Sequence, residues 1–315
     1  MKKFLSMVGP MARLSAILMT TTSYAADLPV VAPVSDAPDM LAYSGVFGIY
    51  GGLSTADTSE DQYGWGGDGW LVGGDAKVNY WLGQSFSTQF TIHGEAGGVD
   101  ASEDGCNSSC DDDEEYSRVN FAVGGHATWR NPNRGALGVF GGITGGSIFD
   151  DGDQTRYFIG AEGQVYFGDF TLYGQGGFHD WIQGDSNHDE MAEGWFIRGV
   201  GRWFVTPYDK VEGEIGYNMS DNNIGNNNGD IETINWGALY EHQFMNSPVS
   251  VYAEYDGYRH DDQSHSSNNV ETEHIFMLGA KIYFNQPDLQ TADRYGPTLD
   301  LPDLVRAQNW ADLNH

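Results

Sequence analysis

The sequence predicts an all-β protein, a transmembrane barrel of twelve antiparallel strands. Three observations lead to this prediction. Segments of about ten residues alternate apolar side chains with polar side chains or glycine, which is the period of a strand with one face in lipid and one in water. The connections between these segments are alternately short and long. Aromatic residues recur at both ends of the segments, as expected where amphipathic rings lie at two membrane interfaces.

The chain begins with a predicted signal peptide. Lys2 and Lys3 precede an apolar stretch, and Ser23 and Ala25 supply the small residues that a signal peptidase requires at −3 and −1. We therefore expect cleavage after Ala25 and export of the mature chain. The expected regions are a signal peptide at 1–25, a Pro-rich periplasmic N-terminal segment at 26–44, the barrel at 45–284 and a periplasmic C-terminal tail at 285–315.

Composition excludes two broad classes of protein. The chain beyond the signal peptide contains no run of 18 apolar residues, and the mean hydropathy of the full sequence is −0.43, so a helical membrane protein is excluded. The formal net charge is −30, with 45 acidic against 15 basic residues, which excludes a nucleic-acid partner. The 43 Gly, 17 Tyr and 9 Trp are typical of strands in contact with lipid rather than of a soluble helical enzyme.

Hydrophobic alternation places the twelve strands. In the sixth, Tyr157, Ile159 and Val165 share an apolar face, while Arg156 and Glu162 lie on the opposite face. The predicted strands are 45–54, 68–81, 85–97, 117–130, 136–147, 156–167, 170–181, 194–205, 210–219, 232–244, 249–259 and 273–284. Alternation alone also fits an exported β-sandwich or propeller, but neither accounts for two aromatic belts. The belt beside the short turns comprises Tyr80, Trp129, Phe167, Phe170, Trp203, Phe244 and Phe284, and the other belt comprises Trp70, Trp181, Trp195 and Trp236.

The eleven connections alternate in length. Five are short turns, at 82–84, 131–135, 168–169, 206–209 and 245–248, and six are long loops, at 55–66, 98–116, 148–155, 182–193, 220–231 and 260–272. Both ends of the barrel sequence therefore lie on the short-turn side. Bacterial outer-membrane barrels have short turns in the periplasm and long loops outside the cell. The predicted long loops hold 23 Asp and Glu and no Lys or Arg, so the outer mouth is expected to be acidic.

The last predicted strand resembles the C-terminal assembly signal of outer-membrane β-barrels, in which apolar residues follow a Gly at +3 and +5. Here these residues are Gly279, Ile282 and Phe284. The chain departs from the pattern because Met277 replaces a polar residue and 31 residues follow Phe284. The segments 25–29 and 296–302 are also similar to those of porin-like outer-membrane proteins. The resemblance implies insertion by the barrel-assembly machinery into the outer membrane, with its lipid and lipopolysaccharide as partners.

Two features of the loops are candidate sites. The acidic runs 111–115 and 150–153 offer the oxygen ligands that Ca²⁺ or Mg²⁺ prefers, but their spacing matches no defined site. We therefore expect loosely bound divalent cations and no cofactor. Cys106 and Cys110 are the two cysteines of an exported chain, which predicts a small loop disulfide. A C-x₃-C pair can also bind metal, although no His lies nearby.

The inner wall of the barrel is expected to be charged. Thirteen residues point inward by strand parity: Asp75, Lys77, Glu95, Arg130, Arg156, Glu162, Arg198, Arg202, Glu212, Glu214, Glu241, Glu254 and Lys281. Arg198 and Arg202 precede the strand that carries Glu212 and Glu214, so cross-strand ion pairs are expected. These residues either line a charged constriction or form an ion-pair network that closes the lumen. Inward-facing glycines such as Gly73, Gly142 and Gly279 favour an open path.

The predicted function is a porin-like channel for passive diffusion of small hydrophilic solutes with a weak cation preference, and not an enzyme. One alternative is a non-conducting structural or surface-interaction barrel that divalent cations bridge to lipopolysaccharide. A third hypothesis is a lipid-cleaving hydrolase. It rests on the residues His265, Ser266, Ser267 and Asn268, which have the types of a His-x-Ser-Asn arrangement in outer-membrane lipid hydrolases. This match lies in a loop rich in Asp, Ser and Asn, where it arises easily by chance.

Overall fold

The computed structural model describes residues 42–58, 64–104, 114–148, 154–183, 191–224, 227–262 and 269–304. The predicted signal peptide, the proposed Cys106–Cys110 disulfide and the residues His265 to Asn268 lie outside these ranges. So do most of the two acidic loop runs.

Twelve strands form one closed antiparallel barrel in the described part of the chain, which confirms the predicted fold class. Each strand pairs with its neighbours in sequence, and the ring closes where the first strand pairs with the last. The strands are β1 Tyr43–Thr58, β2 Gly64–Leu82, β3 Phe86–Asp104, β4 Glu114–Asn131, β5 Gly135–Ile148, β6 Gln154–Phe167, β7 Phe170–Gln183, β8 Met191–Thr206, β9 Asp209–Ile224, β10 Asn227–Gln243, β11 Val249–Asp262 and β12 Asn269–Phe284.

Several strands extend further at the long-loop end than the sequence predicted. β3 continues to Asp104, where alternation ended at residue 97, and β10 begins at Asn227 rather than at residue 232. Alternation in the sequence ends there, whereas backbone pairing continues through a mostly polar stretch of the chain. At the opposite end the turns are tight, and Gly83 and Gly168 adopt the positive φ angles of 82° and 58° that favour glycine.

The barrel is apolar outside and polar inside. On the outer face, Ile159, Leu137 and Leu278 are 60%, 67% and 71% exposed, whereas Glu241 and Gln243 on the inner face are fully buried. The exposed aromatic side chains at the short-turn end are Tyr43, Tyr80, Phe86, Trp129, Phe167, Phe170, Trp203, Tyr240, Phe244 and Phe284. Trp70 and Trp195 are exposed near the other end. This distribution is expected for a barrel surrounded by lipid.

Aromatic rings fill the space over Gly73, Gly142 and Gly279, which corrects the expectation that these glycines favour an open path. The ring of Tyr50 lies over Gly73, and the ring of Tyr252 lies over Gly279 in the same way. At Gly142, an added Cβ atom would lie 2.7 Å from the Cζ atom of Phe158. Each glycine therefore gives room to an aromatic ring from a neighbouring strand, a pairing that also pins the strand register.

The chain after β12 turns back into the barrel. Asn285 adopts a φ of 61°, a left-handed conformation that asparagine tolerates, and its side chain donates to the carbonyl oxygen of Tyr43. A short helix, α1, follows at Leu289–Tyr295, with Asp288 as its N-cap. Its Leu289 and Ala292 are buried against wall residues. Within the described ranges, no helix is long and apolar enough to cross a membrane.

We call residues 286–304 the plug. Its side chains contact inward-facing residues on β2, β7, β8 and β11, so the plug lies inside the barrel. For residues 286–304 this differs from the expected periplasmic tail at 285–315, of which residues 305–315 lie outside the described ranges. The physical reason is that the plug carries apolar and acidic side chains that match an apolar patch and a set of cations on the inner wall, which a free tail would leave exposed to water.

The glycine–aromatic packing predicts a position-specific cost. In Gly73→Ala, the new methyl group would clash with the Tyr50 ring and lie 2.8 Å from the Gly94 carbonyl oxygen. Overpacking of this kind costs about 1–3 kcal/mol of unfolding free energy. Gly94→Ala is the matched control, because nothing lies within 4 Å of its added Cβ atom. Urea unfolding in lipid vesicles measures both, and equal stability of the two variants would contradict the packing argument.

Candidate functional site

All thirteen charged residues predicted to face inward lie on the inner wall. Arg130, Arg156, Glu95, Glu162, Arg202 and Glu241 are buried, and Asp75, Lys77, Arg198, Glu212, Glu214, Glu254 and Lys281 line a cavity beside the plug. Their position follows from strand parity, because the opposite face of each strand carries the apolar residues. That these residues line a conducting pore stays a prediction.

The expected cross-strand ion pairs between β8 and β9 are present. The guanidinium of Arg198 pairs with the carboxylate of Glu214, and Arg202 Nε donates to Glu212 at 2.7 Å. Lys210 Nζ lies 3.4 Å from the same Glu212 carboxylate. This wall therefore holds alternating charges of both signs, which largely cancel in the plane of the strands.

A second cluster surrounds Glu241 near the short-turn end. The carboxylate lies 3.1 Å from Lys210 Nζ and 3.5 Å from Lys281 Nζ, and it accepts hydrogen bonds from Ser250 and Tyr283. A buried carboxylate needs this many partners, because an unpaired charge away from water is very costly. Lys281 Nζ also lies 4.4 Å from the centre of the Tyr252 ring.

The remaining buried charges of the predicted set also have partners. Glu95 accepts from Tyr50 and Asn120, and Glu162 contacts His126 Nδ1 at 2.9 Å and accepts from Tyr173 at 2.7 Å. Arg156 contacts the buried His179 ring at 3.1 Å, and Arg130 donates to the Gly296 carbonyl oxygen of the plug at 2.7 Å. The inner wall is thus a connected polar network.

The plug crosses the short-turn end of the lumen before it runs inward. The Leu289 amide donates to the carbonyl oxygen of Pro207 in the β8–β9 turn. Arg294 donates to the carbonyl oxygen of Gly168 in the β6–β7 turn. On the other side, the Tyr295 carbonyl oxygen accepts from Trp81 of β2 at 2.8 Å. Helix α1 therefore extends beneath the lumen from one wall to the other.

Asp300 of the plug joins opposite walls of the barrel. Its carboxylate lies 2.5 Å from Lys77 Nζ of β2 and 2.7 Å from Arg202 Nη2 of β8, with Arg198 at 3.7 Å. β2 and β8 are six places apart in the ring of twelve strands, so they face each other across the lumen. Burial alone would raise the pKa of Asp300, but Lys77, Arg202 and Arg198 outweigh it and hold that pKa well below its ordinary value. The carboxylate is therefore ionised at neutral pH.

Sequence reasoning missed two groups of charged residues in the lumen, namely further residues of the wall and the acidic residues of the plug. Arg118, Lys210, Asp256 and Glu273 share strand parity with residues that were predicted, so the same signal could have found them; Arg118 Nη1 lies 2.8 Å from Glu273. The plug residues Asp293, Asp300 and Asp303 gave no such signal, because they follow the last strand. Asp293 lies 2.9 Å from Arg202 Nη1, and Asp303 accepts from the Tyr258 hydroxyl at 2.9 Å.

A cavity of about 280 Å³ runs along the plug. Its lining extends from Tyr283, next to the last residue of β12, to Thr233, ten residues before the end of β10. Strand rise and tilt make this a length on the order of 25 Å. The charged lining residues are eight carboxylates (Asp75, Glu212, Glu214, Glu254, Asp256, Asp293, Asp300 and Asp303) and five cations (Lys77, Arg198, Arg202, Lys210 and Lys281), so the cavity is net acidic.

The barrel is similar in structure to an outer-membrane channel of Pseudomonas putida F1. The TM-score is 0.56 at 14% sequence identity, and the match covers 81% of this chain and 100% of that chain. The protein has the fold of an outer-membrane β-barrel. In this fold the apolar outer face of the strands lies in lipid. That the short turns lie on the periplasmic side stays a prediction.

Two further solved structures resemble this outer-membrane β-barrel more distantly. The translocator domain of the autotransporter NalP from Neisseria meningitidis has a TM-score of 0.48 at 11% identity and covers 89% of this chain and 98% of that chain. A FadL homologue of Pseudomonas aeruginosa has a TM-score of 0.43 at 9% identity and covers 76% and 90%. No protein-family model matches the sequence, and no curated protein matches it.

The contacts of Arg202 predict that this residue stabilises both the barrel and the plug. Arg202→Met would leave the buried Asp293 without its cation and would remove one of the two cations, Arg202 and Lys210, that pair with Glu212. Breaking such a buried pair costs about 3–5 kcal/mol of unfolding free energy. Urea unfolding measures the loss, and limited proteolysis after residue 285 reports release of the plug.

Arg134→Met is the matched control for this substitution, because Arg134 is an exposed residue of the β4–β5 turn. It makes the same Arg-to-Met change at a position outside the lumen. If both variants unfold and resist protease like the wild type, the Arg202 cluster does not stabilise the plug.

Proposed function

We propose that this outer-membrane β-barrel is a narrow channel for passive diffusion of small hydrophilic solutes, with a preference for cations. The observation that carries the proposal is the cavity beside the plug, which follows the barrel axis for much of its depth and is lined by polar and charged side chains. The plug fills the side of the lumen next to β6 and β7, so the solute path follows the remaining strands.

The size of the cavity restricts the permeant. A volume of about 280 Å³ lies just below the range of roughly 300–1,000 Å³ that is typical of pockets for drug-sized ligands. Spread over the length of the path, it admits water and small ions in single file or nearly so. We therefore expect a low single-channel conductance and exclusion of bulky solutes.

Two sets of charges support a preference for cations. The lining of the cavity has eight carboxylates against five basic groups, and the predicted long loops add an acidic mouth. The lining charges lie within a few ångströms of a permeating ion, so salt screens them less than the exposed charges of the mouth. The preference is therefore expected to be strongest at low salt and weakest at high salt.

A non-conducting structural barrel is the second candidate. The specific observation in its favour is the bridge through Asp300, which links β2 to β8 across the lumen. In that case the protein would act through its surface, with divalent cations between the acidic loops and lipopolysaccharide. We propose no catalytic role, and the hydrolase hypothesis stays a prediction because its residues lie outside the described ranges.

Planar-bilayer recording tests the proposed channel directly. We expect small, stable conductance steps, with a reversal potential that shows cation preference at about 0.01 M salt and fades toward zero at about 1 M, where the Debye length falls from roughly 30 to 3 Å. Heat-modifiable migration in gels shows that the inserted protein is folded. Anion preference at low salt would contradict the charge argument, and the absence of conductance from folded protein would favour the structural barrel.

A further inference from the structure

We propose that the plug is a resident part of the channel and that its carboxylates, chiefly Asp300 and Asp303, determine the ion selectivity. This inference deepens the proposed function and rests on it. The sequence analysis assigned selectivity to the loops and the strands. The structure adds a third source of charge, which belongs to neither.

The backbone of the plug is bound by side chains of the wall. The carbonyl oxygens of residues 295, 296, 298, 299 and 300 accept hydrogen bonds from Trp81, Arg130, Arg202, Gln89 and Gln175, respectively. Gln89 also accepts from the amide of Leu299, so its side-chain amide pairs with the plug as a neighbouring strand would. An extended segment without its own secondary structure must satisfy its polar groups in this way. The wall therefore has a side-chain donor for five of the six carbonyl groups from residue 295 to residue 300.

The wall also provides an apolar seat for the plug. Leu299 packs against Tyr173 and Val200, and Leu301 and Leu304 pack against Phe140, Phe158 and Phe196. These wall residues face inward, where an aqueous lumen would favour polar side chains. Gly124 of β4 leaves room for Leu301, because an added Cβ atom would lie 2.6 Å from a methyl carbon of that leucine. The seat and the plug thus match in both shape and polarity.

The plug decides the sign of the charge along the path. Of the charged residues that line the cavity, the strands contribute five carboxylates and five cations, which balance. The three remaining carboxylates, Asp293, Asp300 and Asp303, all belong to the plug. The net negative charge of the lining is therefore the charge of the plug.

Asp303 is the position where this charge can be removed with least disturbance. Its side chain is exposed and lines the cavity, and its carboxylate accepts a hydrogen bond from Tyr258, which an asparagine oxygen can also accept. Lys77 is the opposite case, because its loss removes a cation from the lining and leaves Asp300 with its two arginine partners. The two substitutions change the lining charge in opposite directions.

The test is the reversal potential of the full-length protein in planar bilayers with a KCl gradient at low salt. Asp303→Asn is expected to lower the cation-to-anion permeability ratio by about two-fold or more, as one charge about 8 Å from a permeating ion predicts. Lys77→Gln is expected to raise the ratio, and Asp303→Glu to return it toward the wild-type value. Asp68→Asn, which removes a carboxylate from the outer face of the barrel, is the charge-matched control and should leave the ratio unchanged.

The outcomes separate this inference from the function on which it rests. Shifts of opposite sign for Asp303→Asn and Lys77→Gln, with none for Asp68→Asn, support selectivity by the plug. A cation-preferring wild type whose ratio is the same in all variants would overturn the inference and leave the channel intact. A folded wild type that does not conduct would overturn the channel itself.

Discussion

The structure depends on the need to pair every backbone polar group that is removed from water. In lipid this requirement is met only by closing the sheet, which the β1–β12 ladder does. Closure fixes strand parity, so apolar side chains face lipid and charged ones face inward. The enclosed charges then need partners of opposite charge, and cross-strand pairs such as Arg202 with Glu212 provide some of these partners. The same rule applies to the plug, whose carbonyl groups are paired with wall side chains.

Charges of the plug and of the wall neutralise one another across the lumen. A β-strand wall pairs charges easily with adjacent strands, but it cannot reach the far side of a twelve-stranded barrel. Asp300 lies between the walls and neutralises Lys77 of β2 together with cations of β8. Without the plug these cations would face an aqueous lumen that has no fixed counter-charge at its centre. The plug therefore contributes to stability and to the electrostatics of the path through the same contacts.

The barrel and most of the residues of its inner wall could be predicted from the sequence. Period-two alternation identified all twelve strands, and parity placed residues such as Glu241 and Arg198 inward because lipid tolerates no other arrangement. It failed at the strand ends, where pairing continues after the apolar face has stopped. It also failed at the inward glycines, because the rings that cover Gly73 and Gly279 come from neighbouring strands and are visible only once the register is known.

The plug could not be predicted because its signal is complementarity rather than periodicity. Leu299 and Leu301 alternate with Thr298 and Asp300, but this short alternation follows the assembly signal and is equally typical of a tail. The leucines bind inside the lumen because of the apolar seat at Tyr173 and Phe196, and this seat is assembled from separate strands. A strand pattern is local in the sequence, whereas the residues that bind the plug come together only in the closed barrel.

The central claim is that residues 286–304 occupy the lumen of the native protein. Methyl NMR of the full-length protein in nanodiscs, with labelled Leu and Val side chains, tests it without any substitution. The account predicts nuclear Overhauser contacts from the Leu299 methyl groups to those of Val200 and to the Tyr173 ring, with ring-shifted signals for Leu301 and Leu304. Sharp signals at random-coil positions for these three leucines, without contacts to the wall, would contradict it.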